Sequence, residues 1–255
     1  MSYAAPTSYE KIDPAVLNAL RSQHSWIAKP IYRASNAVLQ LPFFSWFEQI
    51  KSPLEFKPAA IQLYYHSATF PKVMGLMLAL GSMSENFMMP FYAKHAFSEA
   101  EHHIMLMKWM LRHGILSSSD EIASVIPTLE TNACVNYAYQ IALGQDREKW
   151  LVGLNSGIER CSNEFFKVVA PKLHSIGAGD VYFDVHVEAD EHHSIMGLEY
   201  IPSYTPDSFR GRQLISKALE GISLWAAMLH SWIGIDLLPK FDLEGNLVST
   251  NKTMH

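Results

Sequence analysis

Apolar residues in this chain recur at three- and four-residue spacing and almost never alternate, a periodicity that buries one face of an α-helix and leaves little for strands. The residue choice agrees: Leu, Ala and Met number 62 against 19 Val plus Thr, and unbranched side chains favour helices where β-branched ones favour strands. The pattern predicts helices over 14–40, 58–68, 72–89, 91–113, 129–144, 147–169, 180–200 and 207–237. Helix-stopping residues fall between them: Gly114 and the Ser117–Asp120 run, Pro171 with Ser175–Gly179, and Pro202 with Pro206. No Pro-, Gly- or Ser-rich linker divides the 255 residues and no fixed-period repeat runs through them. The expectation is one all-α domain over 1–255, a bundle of about seven core helices. Residues 239–255, polar after Pro239, are expected to be a surface or disordered tail.

Charge and cysteine usage narrow the class of partner. The net charge is -5, from 20 Lys+Arg against 25 Asp+Glu, without a basic run, so the electrostatic footprint for nucleic acid or an anionic membrane is missing. Two cysteines, Cys134 and Cys161, allow at most one disulfide, which fits a reducing cytoplasm better than a stapled secreted domain. The first residues carry acidic side chains and no apolar core of a signal peptide. The longest apolar stretch, Gly221 to Leu238, contains His230 and Asp236 and ends at Pro239, so it reads as a buried helix rather than a membrane span.

Chemistry concentrates in two short segments that hold six of the 12 histidines. In the second, His186, Asp190 and His193 stand at i, i+4 and i+7, which places all three on one face of a helix within two turns. Given 12 His and 25 Asp+Glu, this spacing arises by chance in about one chain in twenty. In the first, Glu99 and His102 form the Glu-x-x-His pair by which carboxylate-bridged metal proteins present two ligands from one turn. Glu159, mid-helix beside Leu154, Ile158 and Phe165, faces inward on this reading, where an unpaired charge is costly without a cation. Three His and three carboxylates from three helices make a mixed nitrogen and oxygen set suited to iron or manganese rather than thiolate-bound zinc. Two metals would use all six. His95, Glu101, His103, Glu191 and His192 then point elsewhere as supporting, capping or surface groups, with His95 and His103 held as alternative ligands. His24, His66, His113, His174 and His230 are isolated and read as structural or surface histidines. The bland reading of all three segments is a solvated helix surface carrying i,i+3 and i,i+4 pairs.

Glu99-x2-His102, then Glu159, then His186-x3-Asp190-x2-His193, together with the run Trp109–Gly114 that closes the first ligand helix, resembles the haem-oxygenase-like di-iron oxidases and oxygenases. The resemblance covers roughly residues 55–200, and its ligand spacing is nearest to members that make terminal alkenes from fatty acids. Several members carry their first Glu seven residues before the His, a position occupied here by His95; the exact first-helix ligand among Glu99, His95, Glu101 and His103 therefore stays open. The resemblance implies a haem-oxygenase-like bundle, two irons per chain and dioxygen as co-substrate. It also implies a small amino-acid or carboxylic-acid substrate, oxidised in natural-product biosynthesis by N-oxygenation, desaturation or oxidative C–C or C–N cleavage. An external electron donor, a homodimer and a metal that completes the fold of helix 180–200 belong to the same expectation.

Two other readings compete. A thiaminase-like or quinone-cofactor-synthase-like protein has this fold without the metal, and thiaminase-like enzymes use a cysteine, for which Cys134 is the candidate. A non-catalytic helical protein that binds a metal or a partner is the other. Neither Met74–Met83 nor Phe87–Tyr92 identifies a substrate, since Met at helical spacing is ordinarily core; Arg33 and Arg160 are candidate clamps for an acid.

Overall fold

The computed structural model describes residues 14–80 and 83–251. Eleven α-helices account for most of them: α1 Pro14–Gln23, α2 Ser25–Val38, α3 Pro42–Gln49, α4 Lys57–Leu80, α5 Met89–Glu99, α6 His102–Arg112, α7 Leu129–Leu143, α8 Arg147–Trp150, α9 Arg160–Ser175, α10 Val181–His193 and α11 Phe209–Ser231. Between α8 and α9 the chain is a π-helix, Leu151–Glu159. Several helix starts are set by short polar side chains that satisfy otherwise orphaned amides. Thr128 accepts from the Thr131 amide at 3.1 Å, Asp180 from Tyr182 at 3.0 Å and Ser208 from Gly211 at 3.0 Å.

The expected all-α bundle is what the chain forms, with boundaries that differ for identifiable reasons. The predicted 14–40 helix is broken at the buried His24. Conversely, α4 runs unbroken through Pro71 and α9 through Pro171. Each proline removes one i to i−4 hydrogen bond, and packing of α4 on α5, α6 and α7, and of α9 on α10 and α2, holds the helix together across the gap. The predicted 91–113 helix is two helices, α5 and α6, with a turn at Ala100–Glu101, and the 180–200 helix ends at His193, before the left-handed Gly197 at φ 86°. Helix α3 was not expected from periodicity; its eight residues include Phe43, Phe44 and Phe47, all buried.

The expected polar tail is corrected as well. Residues 238–251 form a hairpin, β1 Leu238–Phe241 paired antiparallel with β2 Leu247–Asn251, and β1 packs on α11. Its turn is built by the Asp242 carboxylate, which accepts from the Glu244 and Asn246 amides. Gly245 has φ 81°, and a Cβ there would lie 2.1 Å from the Pro30 carbonyl oxygen. The two-residue turn signals that announce hairpins are absent from this longer loop. Residues 252–255 and 1–13 lie outside the described residues.

Buried hydrophobic side chains from α2 to α11 form one continuous cluster. Its centre is aromatic, with Phe47 against Phe56, Phe56 against Trp109 and Trp109 against Phe183 at centroid separations of 5.1, 6.3 and 4.9 Å. At the rim, Arg210 at the start of α11 grips Asp146, the N-cap of α8, through both guanidinium nitrogens at 2.9 and 2.7 Å. Burial pushes the Asp146 carboxyl up, but the Arg210 fork and the Lys149 amide outweigh it and hold it at about 2, below the ordinary 3.8. A depressed carboxyl stabilises the fold above its unfolded pKa and ceases to do so as pH falls through the folded one. Asp146→Asn should therefore cost about 1 kcal/mol near neutral pH, lowering Tm by about 2–4 °C. The difference from wild type should shrink between pH 4 and pH 2, which thermal melts across that range would measure.

Candidate metal centre

The centre is assembled by helices whose ligand positions repeat in sequence. On α5 and α6, His95, Glu99 and His102 stand at i, i+4 and i+7; on α10, His186, Asp190 and His193 have the same spacing. The rings pair crosswise, His95 with His193 and His102 with His186, both at 4.2 Å between centroids. Crosswise pairing means that the two ligand segments run antiparallel about an approximate two-fold axis, with Glu99 and Asp190 near it. The third carboxylate, Glu159, comes from the end of the π-helix. All seven side chains are buried. Their ligand atoms gather into three groups, each within 4.8 Å: Glu99 with His102 and His186, Glu159 with Asp190 and His193, and His95 with Glu99 and His193.

A π-helix is uncommon and marks functional sites because its extra residue per turn shifts side chains out of the α register. Here it is packed hard against α11. A Cβ on Gly157 would lie 3.0 Å from the Ala218 carbonyl oxygen, and one on Gly153 would lie 2.6 Å from the Tyr137 hydroxyl and 2.8 Å from Ile141 Cδ1. That hydroxyl donates to the Lys217 carbonyl of α11, so it is not free to yield. Glycine at these positions lets the segment that ends in Glu159 sit against its neighbours' backbones.

Three carboxylates buried together define the electrostatics. Burial raises Glu99, but the charge and hydrogen bond of His102, at 2.8 Å, and the charge of His193 hold it below the usual carboxylate range. Burial likewise raises Glu159, and the facing rings of His193 and His95 outweigh it, holding it at about 2. Asp190 goes the other way: burial first, then the Glu159 and Glu99 charges, push it well up. His193 is lowered by burial, yet the hydrogen bond and charge of Glu159 and the charge of Glu99 leave it raised overall. The buried carboxylates are thus opposed by the neighbouring imidazoles and by one another. Glu99 Oε1 and Asp190 Oδ2 remain buried without a hydrogen-bond partner. Orphaned carboxylate oxygens beside imidazole nitrogens fit hard or borderline divalent ions such as iron.

Two of the rings are already aimed. His186 Nδ1 donates to the Tyr182 carbonyl at 2.5 Å, which leaves the Nε2 lone pair for a metal. For His193 the roles reverse. Its Nε2 approaches Ser98 Oγ at 3.5 Å, and that hydroxyl donates to the His95 carbonyl at 2.8 Å. His193 Nδ1 therefore faces Glu99, Glu159 and Asp190 at 3.4, 3.6 and 4.0 Å.

The six residues expected from sequence, Glu99, His102, Glu159, His186, Asp190 and His193, are brought together. Of the neighbours expected to point elsewhere, Glu101 is exposed, His103 packs on Tyr64 and Glu191 pairs with Arg21 at 3.5 Å. His95 is the exception: it enters the cluster, its Nε2 3.0 Å from Glu159 Oε1. The signal for it was available in the matching His-x3-carboxylate-x2-His spacings, which are obscured when the segments are aligned on their adjacent His-His pairs. His66, isolated in sequence, also joins the site. It lines a cavity of about 20 Å³ with Leu63, Phe70 and Trp225, against Glu99, Asp190 and His186. Neither candidate clamp reaches the centre: Arg33 pairs with Glu244, and Arg160 pairs with Glu164 and lies 4.1 Å from the Tyr32 ring.

Comparison with known proteins agrees with this geometry. Residues 57–226 match a family of iron-containing redox enzymes, and the chain belongs to that family. The match includes all seven clustered residues. Among solved structures, a TenA homologue from Pseudomonas syringae pv. tomato superposes with TM-score 0.71 at 15% identity, covering 89% of this chain and 100% of that one. A domain of unknown function with a haem oxygenase-like fold from Shewanella denitrificans gives 0.62 at 16% identity, covering 87% and 92%. A TenA homologue from Pyrococcus furiosus gives 0.53 at 15%, covering 85% and 97%. These likenesses establish the haem-oxygenase-like fold. A search of curated proteins finds no match. No described helix is long and apolar enough to cross a membrane.

Because the π-helix carries Glu159, crowding it should disturb stability and metal binding together. Gly153→Ala should cost about 1–3 kcal/mol through overpacking against Tyr137 and Ile141, visible as a Tm loss of about 2–4 °C per kcal/mol. Titration of the same variant with Fe(II) should show weaker uptake than wild type.

Proposed function

We propose that this protein is a non-haem di-iron oxidase or oxygenase that uses dioxygen to oxidise a small amino-acid- or carboxylic-acid-type substrate. The observation that carries the reading is the convergence of three buried carboxylates and three histidines into two ligand groups. Glu99, His102 and His186 would hold one iron and Glu159, Asp190 and His193 the other, with Glu99 near enough to both groups to be shared. Iron bound there would supply the electrons and oxidising power that no side chain of the cluster has. The chain's part is to keep His186 and His193 aimed and to neutralise the metal charge with carboxylates.

The cavity beside the ligands supports a gaseous co-substrate. At about 20 Å³ it has room for one water-sized molecule, and its walls of Leu63, Phe70, Phe166 and Trp225 are apolar. The organic substrate and any external electron donor would approach from outside this space. The specific oxidation and a place in natural-product biosynthesis rest on the family resemblance alone.

The cysteine reading is disfavoured by Cys134 itself. It is fully buried, and burial pushes its thiol up to about 12, where the nucleophilic thiolate is not formed near neutral pH. Anaerobic Fe(II) titration should give about two irons per chain, with His186→Ala and Glu159→Ala each losing at least one and Cys134→Ala losing none. Dioxygen uptake by the loaded protein, screened with amino acids and fatty acids, should be abolished by His193→Ala and retained in Cys134→Ala. Absence of iron binding, or loss of activity in Cys134→Ala alone, would overturn the reading.

A further inference from the structure

The buried ring of His95 stands among the ligands without sharing their hydrogen-bonding arrangement. Its Nε2 lies 3.0 Å from Glu159 Oε1, and its Nδ1 lies 3.4 Å from Asn155 Nδ2. The direction of the second contact is fixed by a third group. Asn155 Nδ2 also donates to the His193 carbonyl at 3.3 Å, and a carbonyl can only accept. Turning the amide over would set Asn155 Oδ1 against that carbonyl oxygen. The amide group therefore spends its two hydrogens on the His193 carbonyl and on His95 Nδ1, which makes Nδ1 an acceptor and places the ring proton on Nε2. From Nε2 the proton points at Glu159.

We infer that His95 is not a seventh metal ligand but a positioning residue, whose Nε2–H donates to Glu159 Oε1 and turns Oε2 of that carboxylate toward the metal. The inference rests on the di-iron reading above. His186 places its ring hydrogen on the Tyr182 carbonyl, an oxygen remote from the centre, and presents its Nε2 lone pair inward. His95 does the opposite, presenting a hydrogen inward and a lone pair outward to Asn155. With Oε1 engaged by His95, Glu159 Oε2 is the oxygen that faces His193 Nδ1, at 3.6 Å. Asn155 and Glu159 are four residues apart in the same π-helix, so one rigid segment supplies both the ligand and the group that sets the tautomer of the ring orienting it. The approximate two-fold symmetry of the ligand spacing is thus broken in chemistry: His186 binds metal and its counterpart His95 binds a ligand.

Histidine tautomers and metal ligation are read directly by long-range nitrogen–proton NMR on the full-length protein labelled with nitrogen-15. Zn(II) serves as a diamagnetic probe, and the His95→Gln spectrum identifies the His95 signals. The expected result is that Zn(II) shifts a ring nitrogen of His102, His186 and His193 to the ligated range while His95 keeps its proton on Nε2. In Fe(II) titrations His95→Leu should lower affinity by about 10–100-fold, the range for removing a group that supports a ligand. His95→Gln, whose amide nitrogen can replace Nε2–H, should restore most of that loss. Ligation shifts at His95 Nε2, or failure of Gln to restore affinity, would overturn the inference and make His95 a ligand. If none of the four histidines responds to Zn(II), the metal reading itself fails and His95 has no ligand to position.

Discussion

Three carboxylates that cannot all be ionised together in a dry interior are the constraint on which this molecule is organised. Glu99, Glu159 and Asp190 are each buried, and removing even one carboxylate from water is prohibitive unless a proton or a cation compensates. In the protein alone the conflict shows in the shifts: burial and the Glu159 and Glu99 charges push Asp190 up, and Glu159 and Glu99 raise His193 against the effect of its burial. A divalent ion would offset the carboxylate charge and satisfy the Glu99 and Asp190 oxygens left without hydrogen-bond partners. The bundle supplies what such a centre needs. Two antiparallel ligand segments set imidazoles on either side, and a third segment delivers Glu159.

The delivery of Glu159 is where packing and chemistry meet. A π-helix is held only where its surroundings over-determine it. Gly157 leaves room for the Ala218 backbone of α11 and Gly153 for the Tyr137 and Ile141 side chains of α7, and every residue from Leu151 to Glu159 is buried. The segment is therefore positioned by contact with the α11 backbone and the Tyr137 side chain, together with the Asn155 hydrogen bond to the His193 carbonyl.

Helical periodicity and residue spacing made much of this legible in advance. His186, Asp190 and His193 could be read because one straight helix, α10, carries all three. Glu99 and His102 survive as a pair even though the helix breaks between them at Ala100–Glu101, since the break is a turn of nearly helical backbone. The prolines were misleading for an energetic reason: one missing hydrogen bond is small beside the burial of a long helix such as α4. The hairpin at 238–251 was invisible because its turn depends on a tertiary contact, Gly245 against Pro30, and because two short strands have no periodicity of their own. His66 could not be assigned by spacing, and the matching spacing of His95 was obscured by the adjacent His-His pairs. What makes His95 part of the centre is Glu159, far away in sequence, and what makes His66 part of it is a cavity.

The near symmetry of the two histidine-bearing segments is not matched by their surroundings. On one side of the axis, His95 is closed in by Glu159 and Asn155, so that its ring is fully engaged in hydrogen bonds. Elsewhere around the centre, His186 and the carboxylates border the small apolar cavity walled by α4, Phe166 and Trp225. Burial and the charge of His102 hold His186 down to about 3, so the ring is neutral and its inward lone pair is permanently available. His66, across the same cavity, is likewise held neutral, at about 4, chiefly by burial. His95 and His186, which hold matching positions in the two segments, thus differ in surroundings: one ring is engaged by Glu159 and Asn155, the other borders the cavity. The cavity is lined by the His66 and His186 rings, by Leu63, Phe70, Phe166 and Trp225, and by the carboxylates Glu99, Glu159 and Asp190.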